Sequence, residues 1–277
     1  MWGRRVGVVC RLTPSFFPSS FLNVGKHKPL PSLPNSLPHP VFPRKIHSTG
    51  IPQAKSIRPL KMSSAKSQEP VINSVTELPT DKARWVTLQQ INYTDQTGKA
   101  RTWEVAARKT RSAKSGVDAV AIGNILLPAN GGPPSTIVVI QYRPPLDAYT
   151  VEWPAGLIDQ GETAEQAAVR EFREETGYEV TRVVDVSPVQ SADPGMSSAN
   201  MQMVMVEVDL PEGQEELPQQ RLEDGEHIER VVVRLDQFYD TLVEYSKRER
   251  FMVAAKLFHF AAGMQFVRTR GKELKLI

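Results

Sequence analysis

The stretch from Gly156 to Tyr178, GLIDQGETAEQAAVREFREETGY, constrains this 277-residue chain more than any other. Thr163 and Gln166 have the spacing of a reciprocal helix cap, and Gly177 stands where a left-handed residue ends a helix. The expected helix therefore runs from Thr163 to Thr176, with Ala164, Ala168 and Phe172 as its packing face. Glu171 and Glu175 are four apart, so both carboxylates leave one side of that helix with β-carbons about 6 Å apart. Glu174, three after Glu171, joins them. Like charges at this spacing weaken an isolated helix by a few tenths of a kcal/mol, a sign that a hard divalent cation reverses. Such a cation is what phosphoanhydride cleavage needs, to neutralise phosphate oxygens and acidify an attacking water.

An ordinary solvated helix face could carry Arg170 and Glu174 as an ion pair, but it gives no reason for the loop ahead of it. Gly156, Glu162, Arg170, Glu171, Glu174, Glu175 and Gly177 fill every fixed position of the Nudix box, which the stretch resembles throughout. At about 7% per residue type, seven such matches in one window arise by chance about once in a hundred million, so coincidence is excluded. The last, apolar position of the box is filled by Tyr178.

Around the box, Trp85, Thr87, Gln89, Ile91 and Tyr93 alternate on one strand face. A four-residue turn, Asp95 to Gly98, leads into a second extended run from Arg101 to Arg111, which predicts a β-hairpin. Apolar runs at Gly116–Leu127 and Thr136–Gln141 predict a strand pair across a Gly- and Pro-rich loop, and Tyr149–Trp153 is short and extended. Beyond the helix, Val183–Val189, Met201–Val208 and His227–Leu235 read as strands, Pro211–Gly225 as a polar loop, and Asp236–Ser246 and Arg248–Phe266 as amphipathic helices. Strands before and between helices define an α/β layered domain with a mixed sheet.

Charge divides the chain. Residues 1–68 hold eleven Lys and Arg, ten of the 22 prolines and no acid, leaving 23 basic against 31 acidic side chains from Glu69 onward. The expectation is a disordered basic leader that acts as a mitochondrial transit peptide, with Met62 as a second start giving a cytoplasmic or nuclear form. A nucleic-acid binder would carry its positive charge on the folded body, and that body is net −8, so nucleic acid is not an expected partner. No apolar run approaches the roughly 18 residues of a membrane span, so no membrane partner is expected either. The single cysteine, Cys10, lies in the leader, which excludes disulfides, thiolate nucleophiles and cysteine-bound zinc from the remainder. Histidines 27, 39, 47, 227 and 259 show no ligand spacing.

Outside the box, Arg101-Thr-Trp-Glu104, Gln141-Tyr-Arg-Pro-Pro145, Glu152-Trp-Pro-Ala-Gly-Leu-Ile-Asp159 and Asp193-Pro-Gly-Met-Ser197 resemble the ADP-ribose and ADP-sugar pyrophosphatases. Pro194, sixteen positions after Tyr178, matches a mark of that group. The resemblance implies a Nudix fold of a mixed sheet between helices (residues 113–277), preceded by a small antiparallel β subdomain (69–112) through which two copies form a homodimer. It implies that Trp85 and Trp103 stack on adenine, that Glu104 and Arg108 surround base and ribose phosphates, and that Arg143 contacts phosphate, with Leu157 and Asp193 also at the substrate. It further implies a Mg²⁺ cluster, with Mn²⁺ as a possible substitute, on the Ala155 carbonyl, Glu171 and Glu175. Arg170, Glu174 and Glu152 are then supporting candidates. A loop carboxylate supplies the general base, and Glu226 aligns with it while Glu223, Asp224 and Glu229 compete. The implied reaction is attack of an activated water on one phosphorus of ADP-ribose, giving AMP and ribose 5-phosphate. Alternatives are a Nudix enzyme for another nucleotide, against which Pro194 and the tryptophans stand, and a non-catalytic nucleotide-sugar sensor, against which the intact box glutamates stand.

Overall fold

In the computed structural model, residues 68–112, 115–214 and 216–277 are described, so the leader reading, apart from Gln68, and the Met62 start lie outside them. The alternation after Trp85 forms β1 (Val86–Thr94), which pairs antiparallel with β2 (Ala100–Arg108) as a separate two-stranded sheet. The connecting loop runs one residue beyond the expected turn, to Lys99. The Asp95 carboxylate organises it by accepting from Thr97 N at 2.8 Å, Lys99 N at 3.0 Å and Arg101 Nε at 2.9 Å. Past the hairpin, Arg111 bonds Asp118 through Nε at 2.9 Å and Nη2 at 2.8 Å, joining the end of the hairpin to the start of the main sheet.

That sheet has nine strands: β3 (Ala119–Pro128), β4 (Ser135–Arg143), β5 (Ala148–Glu152), β6 (Ala155–Leu157), β7 (Arg182–Val186), β8 (Gln190–Ser191), β9 (Asn200–Leu210), β10 (Ile228–Arg234) and β11 (Phe251–Val253). The pairs β3–β9 and β5–β11 are parallel and the others antiparallel, so the sheet is mixed as expected. The helix α1 (Ala164–Thr176) covers one face, where Ala167, Ala168 and Phe172 pack with Val120, Ile122 and Val204. On the other face lie α2 (Phe238–Tyr245) and α3 (Ala255–Arg270), whose Phe238, Leu242 and Leu257 pack with Val138, Ile140 and Val151. Ile137 and Val138, adjacent on β4, belong to opposite cores, which is the two-residue period of a strand buried on both sides.

One sequence expectation fails locally. The helix expected over Arg248–Phe266 is a strand followed by a helix that runs on to Arg270. Phe251–Val253 pairs parallel with Tyr149–Val151, and the Phe251 ring stacks on Tyr149 with centroids 5.4 Å apart. Aromatic and β-branched residues at an open sheet edge gain more from pairing and stacking than from another helical turn. The run expected over Val183–Val189 also ends early, since Pro188 has no N–H to continue the ladder.

The main sheet opens between β3 and β4, which share a single residue pair, Leu126 and Ser135. The chain leaves β5 on the β4 side, crosses at Trp153-Pro154, and pairs with β3 through β6. At the base of this fork the buried Asn124 side chain stands in for a missing rung: it accepts from Ile137 N at 2.8 Å and donates to Ile137 O at 3.0 Å. Thr136 Oγ1 donates to Asn124 Oδ1 at 3.1 Å and accepts from Trp153 Nε1 at 3.3 Å, which fixes the first of the two residues between Glu152 and Ala155.

Candidate active site

Two elements bring the box carboxylates to the mouth of the fork. Thr163 caps α1 as the spacing requires, with its side chain accepting from Gln166 N and the Gln166 side chain accepting from Thr163 N at 2.9 Å. Gly177 ends the helix at φ 78°, a left-handed conformation in which a side chain is strained. Before the helix, Arg170 closes the loop: it bonds Glu162 through Nε and Nη2, both at 2.9 Å, and Leu157 O at 3.2 Å. The same guanidinium reaches Glu171 at 2.8 Å and Glu174 at 3.3 Å. Arg170 is thus the hub of the box, and its fixed distance from Glu162 in the sequence follows from this bidentate bond.

Glu171 and Glu175 face the Ala155–Gly156 backbone. Ala155 N donates to Glu175 Oε2 at 3.2 Å, and the Glu171 carboxyl lies directly over Gly156. Burial, then the charge of Glu171, pushes the Glu175 carboxyl up to about 8, and burial also raises Glu171 despite its bond to Arg170. The buried Glu175 and half-buried Glu171 carboxyls, both driven toward protonation, are an oxygen pair that a hard divalent cation would relieve. Among the described residues, no three His, Cys, Asp or Glu side chains group at metal-ligand spacing, so a cation held here would need a further oxygen donor besides the two carboxylates.

Arg143, at the end of β4, donates to Glu152 through Nε at 2.8 Å and Nη2 at 3.2 Å, and Thr150 Oγ1 also bonds this carboxylate. Burial alone would raise Glu152, but the bonds from Arg143 and Thr150 outweigh it and hold the group below the usual range. The arginine expected at phosphate therefore carries one carboxylate already. Glu226 sits near enough that its charge pushes Glu171 and Glu175 further up and acts on Arg143. Of the four competing loop carboxylates, Glu226 is half-buried, whereas Glu223, Asp224 and Glu229 are exposed. The charge of Glu229 acts on Tyr149 and Tyr245 instead.

The remaining expected residues are distributed over the hairpin and its neighbour loop. Trp85 and Trp103 are 66% and 50% exposed, far more than core residues would be. Trp103 pairs with Ile91, six positions beyond Trp85, so the α-carbons of the two tryptophans are about 20 Å apart along the hairpin. Glu104 and Arg108 alternate with Trp103 onto the opposite face of the hairpin. Trp103 Nε1 donates to Gly195 O at 3.1 Å, and Ala106 N to Met196 O at 3.0 Å, which docks β2 on the turn begun by Asp193. Leu157 is half-buried on β6. Sequence reasoning passed over Gln220, Arg230, Thr150, Thr136 and Asn124, whose residue types are unremarkable and whose roles arise only from contacts distant in sequence.

Fold and site together define a Nudix hydrolase, and a family model described as the NUDIX domain matches residues 118–253. The chain belongs to the Nudix family. It is 39% identical over 200 residues to an uncharacterised Nudix hydrolase of Schizosaccharomyces pombe, covering 72% of this chain and 95% of that one. It is 34% identical to the ADP-ribose pyrophosphatase of Saccharomyces cerevisiae, covering 81% of this chain and 96% of the relative. It is 32% identical to the ADP-sugar pyrophosphatase of Mus musculus, covering 71% and 88% respectively.

Proposed function

We propose that this chain hydrolyses the pyrophosphate of ADP-ribose and related ADP-sugars, releasing AMP and a sugar phosphate. The observation that carries this reading is the intact Glu171–Glu175 pair beside Ala155, in a chain that aligns along 96% of an ADP-ribose pyrophosphatase. Ala155, Glu171 and Glu175 would hold Mg²⁺, for which Mn²⁺ can substitute. A cation bound there would neutralise phosphate oxygens and lower the pKa of the attacking water.

The side chains supply the rest. Glu226 accepts the proton of the water that attacks phosphorus, the P–O bond to the bridging oxygen breaks, and the freed phosphate leaves with the sugar or with adenosine. Support for Glu226 over its neighbours comes from its partial burial and its charge coupling to Glu171 and Glu175. Arg143, oriented by Glu152, offers its planar donor fork to phosphate oxygens. Arg170 holds the loop and Glu174 in register.

Trp85 and Trp103 bind adenine by stacking, Glu104 and Arg108 flank base and ribose phosphates, and Leu157 and Asp193 contact the substrate. Two tryptophans whose α-carbons lie about 20 Å apart along one hairpin are badly placed to sandwich one base, so a two-sided stack would take one tryptophan from each of two copies. A homodimer built through residues 69–112 meets that need. It would also cover the exposed Trp85, Leu88 and Ile91 of a hairpin that is marginal as an isolated two-stranded sheet. Residues 1–68 are proposed as a mitochondrial leader, which two chain lengths on an immunoblot, one of them organellar, would support.

A rate panel tests the substrate assignment, with ADP-ribose, ADP-glucose, NADH, a dinucleoside polyphosphate and 8-oxo-dGTP as substrates. The expected result is the highest kcat/KM for ADP-ribose or another ADP-sugar. A preference for the oxidised triphosphate or the dinucleoside polyphosphate would overturn it.

A further inference from the structure

The last four carbonyls of an α-helix have no partners within it, and in α1 all four are taken. Gly177 N donates to Arg173 O at 2.9 Å, Arg221 N to Glu174 O at 2.9 Å, Gln220 Nε2 to Glu175 O at 2.6 Å, and Arg230 Nη1 to Thr176 O at 2.5 Å. Three of these donors belong to the two stems of one short turn, Leu222 to His227, which carries Glu226. The incoming stem lies against the helix end so closely that a β-carbon on Gly177 would stand 2.6 Å from Gln219 O and 2.8 Å from Pro218 O. The outgoing stem is fixed on β4, where Ile228 pairs with Gln141.

Gln220 joins all three parts. Its amide group gives one bond to Glu175 O and a second, at 3.1 Å, to Ile228 O, so one side chain links the entry of the turn, its exit and the backbone of Glu175. We infer that Gln220 is a positioning residue, which sets Glu226 relative to Glu171 and Glu175 by clasping both stems of its turn to the end of the helix that bears them. Both amide hydrogens are spent on carbonyls, which leaves Gln220 no donor to offer a substrate. The inference rests on the reading of Glu226 as the proton acceptor.

Its test is a double-mutant cycle on the full chain with ADP-ribose and Mg²⁺: wild type, Gln220→Ala, Glu226→Gln and both together. Gln220→Ala is expected to lower kcat about tenfold with KM within about twofold, the pattern of a misplaced reacting group. In the Glu226→Gln background the same substitution is expected to change kcat little, because the group it positions is already gone. Gln220→Met keeps the side chain's length while removing its donors and adds no charge, so it is expected to behave as Gln220→Ala and serves if the alanine variant does not fold. Gln220→Lys restores a donor and is expected to regain most of the rate. Equal fold-losses in both backgrounds, or wild-type kcat in Gln220→Ala and Gln220→Met, would overturn the inference while leaving Glu226 in place. Wild-type kcat in Glu226→Gln would overturn the assignment of Glu226 itself, and the inference with it.

Discussion

The Glu171 carboxyl occupies the space that a side chain on Gly156 would need: a β-carbon there would stand 1.9 Å from its carboxyl carbon and 2.0 Å from Oε1. Glycine at the start of the box is therefore a packing requirement of the carboxylate, and its distance in sequence from Glu171 records a contact. Gly156→Ala should leave the fold intact, since the far end of a glutamate can swing aside. It should raise the Mg²⁺ concentration needed for half-maximal rate by about 10-fold or more, as displaced ligand geometry does. A titration of rate against Mg²⁺ checks this, and an unchanged midpoint would count against Glu171 as a ligand.

Glu175 is more buried than Glu171 and has the larger upward push. Glu175→Gln keeps an oxygen that can accept from Ala155 N but removes the charge. Turnover should fall at least about a hundredfold, because the cation's share of transition-state stabilisation is several kcal/mol. Rate assays at saturating Mg²⁺, with circular dichroism to verify the fold, decide it.

The same carboxyl makes the metal-free protein sensitive to pH. Its folded-state value of about 8 lies above the roughly 4.3 of an unfolded glutamate, so the folded state holds the proton more tightly between them. The stability it contributes is full below the unfolded value and is lost as pH rises through the folded one. In chelator, wild type should lose stability relative to Glu175→Gln as pH rises from about 5 to 8, by an amount on the order of a few kcal/mol. Mg²⁺ at pH 8 should close that gap. Urea midpoints of the two proteins at pH 5 and pH 8 measure it.

Trp103 is half exposed, and its indole N–H is already bound to Gly195 O, which leaves the ring as its remaining surface for a ligand. Trp103→Ala should raise KM for ADP-ribose about 10-fold or more while changing kcat less, as the loss of binding common to ground and transition states does. Michaelis curves for wild type and variant separate the two effects.

Much of the fold could be read from short-range signals. The cap at Thr163, the stop at Gly177 and the period of Ala164, Ala168 and Phe172 each depend on residues within a few positions of one another, and α1 formed where they indicated. What escaped depends on distant partners. Phe251–Val253 is a strand because β5, a hundred residues earlier, offers an edge. Asn124 matters because β3 and β4 separate beside it, and a lone Asn in an apolar run carries no sign of that. At the site, the carboxylates and glycines were legible because their spacing is fixed by one helix and one loop. The Arg143–Glu152 pair and the Gln220 clasp come from strands and stems brought together only by folding.

Product analysis with ADP-ribose and Mg²⁺ decides whether this chain is an ADP-sugar hydrolase that works through Glu175. AMP and ribose 5-phosphate are expected in equal amounts, with neither formed when Mg²⁺ is chelated or when Glu175 is replaced by Gln. Intact ADP-ribose after incubation of the folded protein with Mg²⁺ or Mn²⁺, or cleavage that persists undiminished in Glu175→Gln, would contradict it.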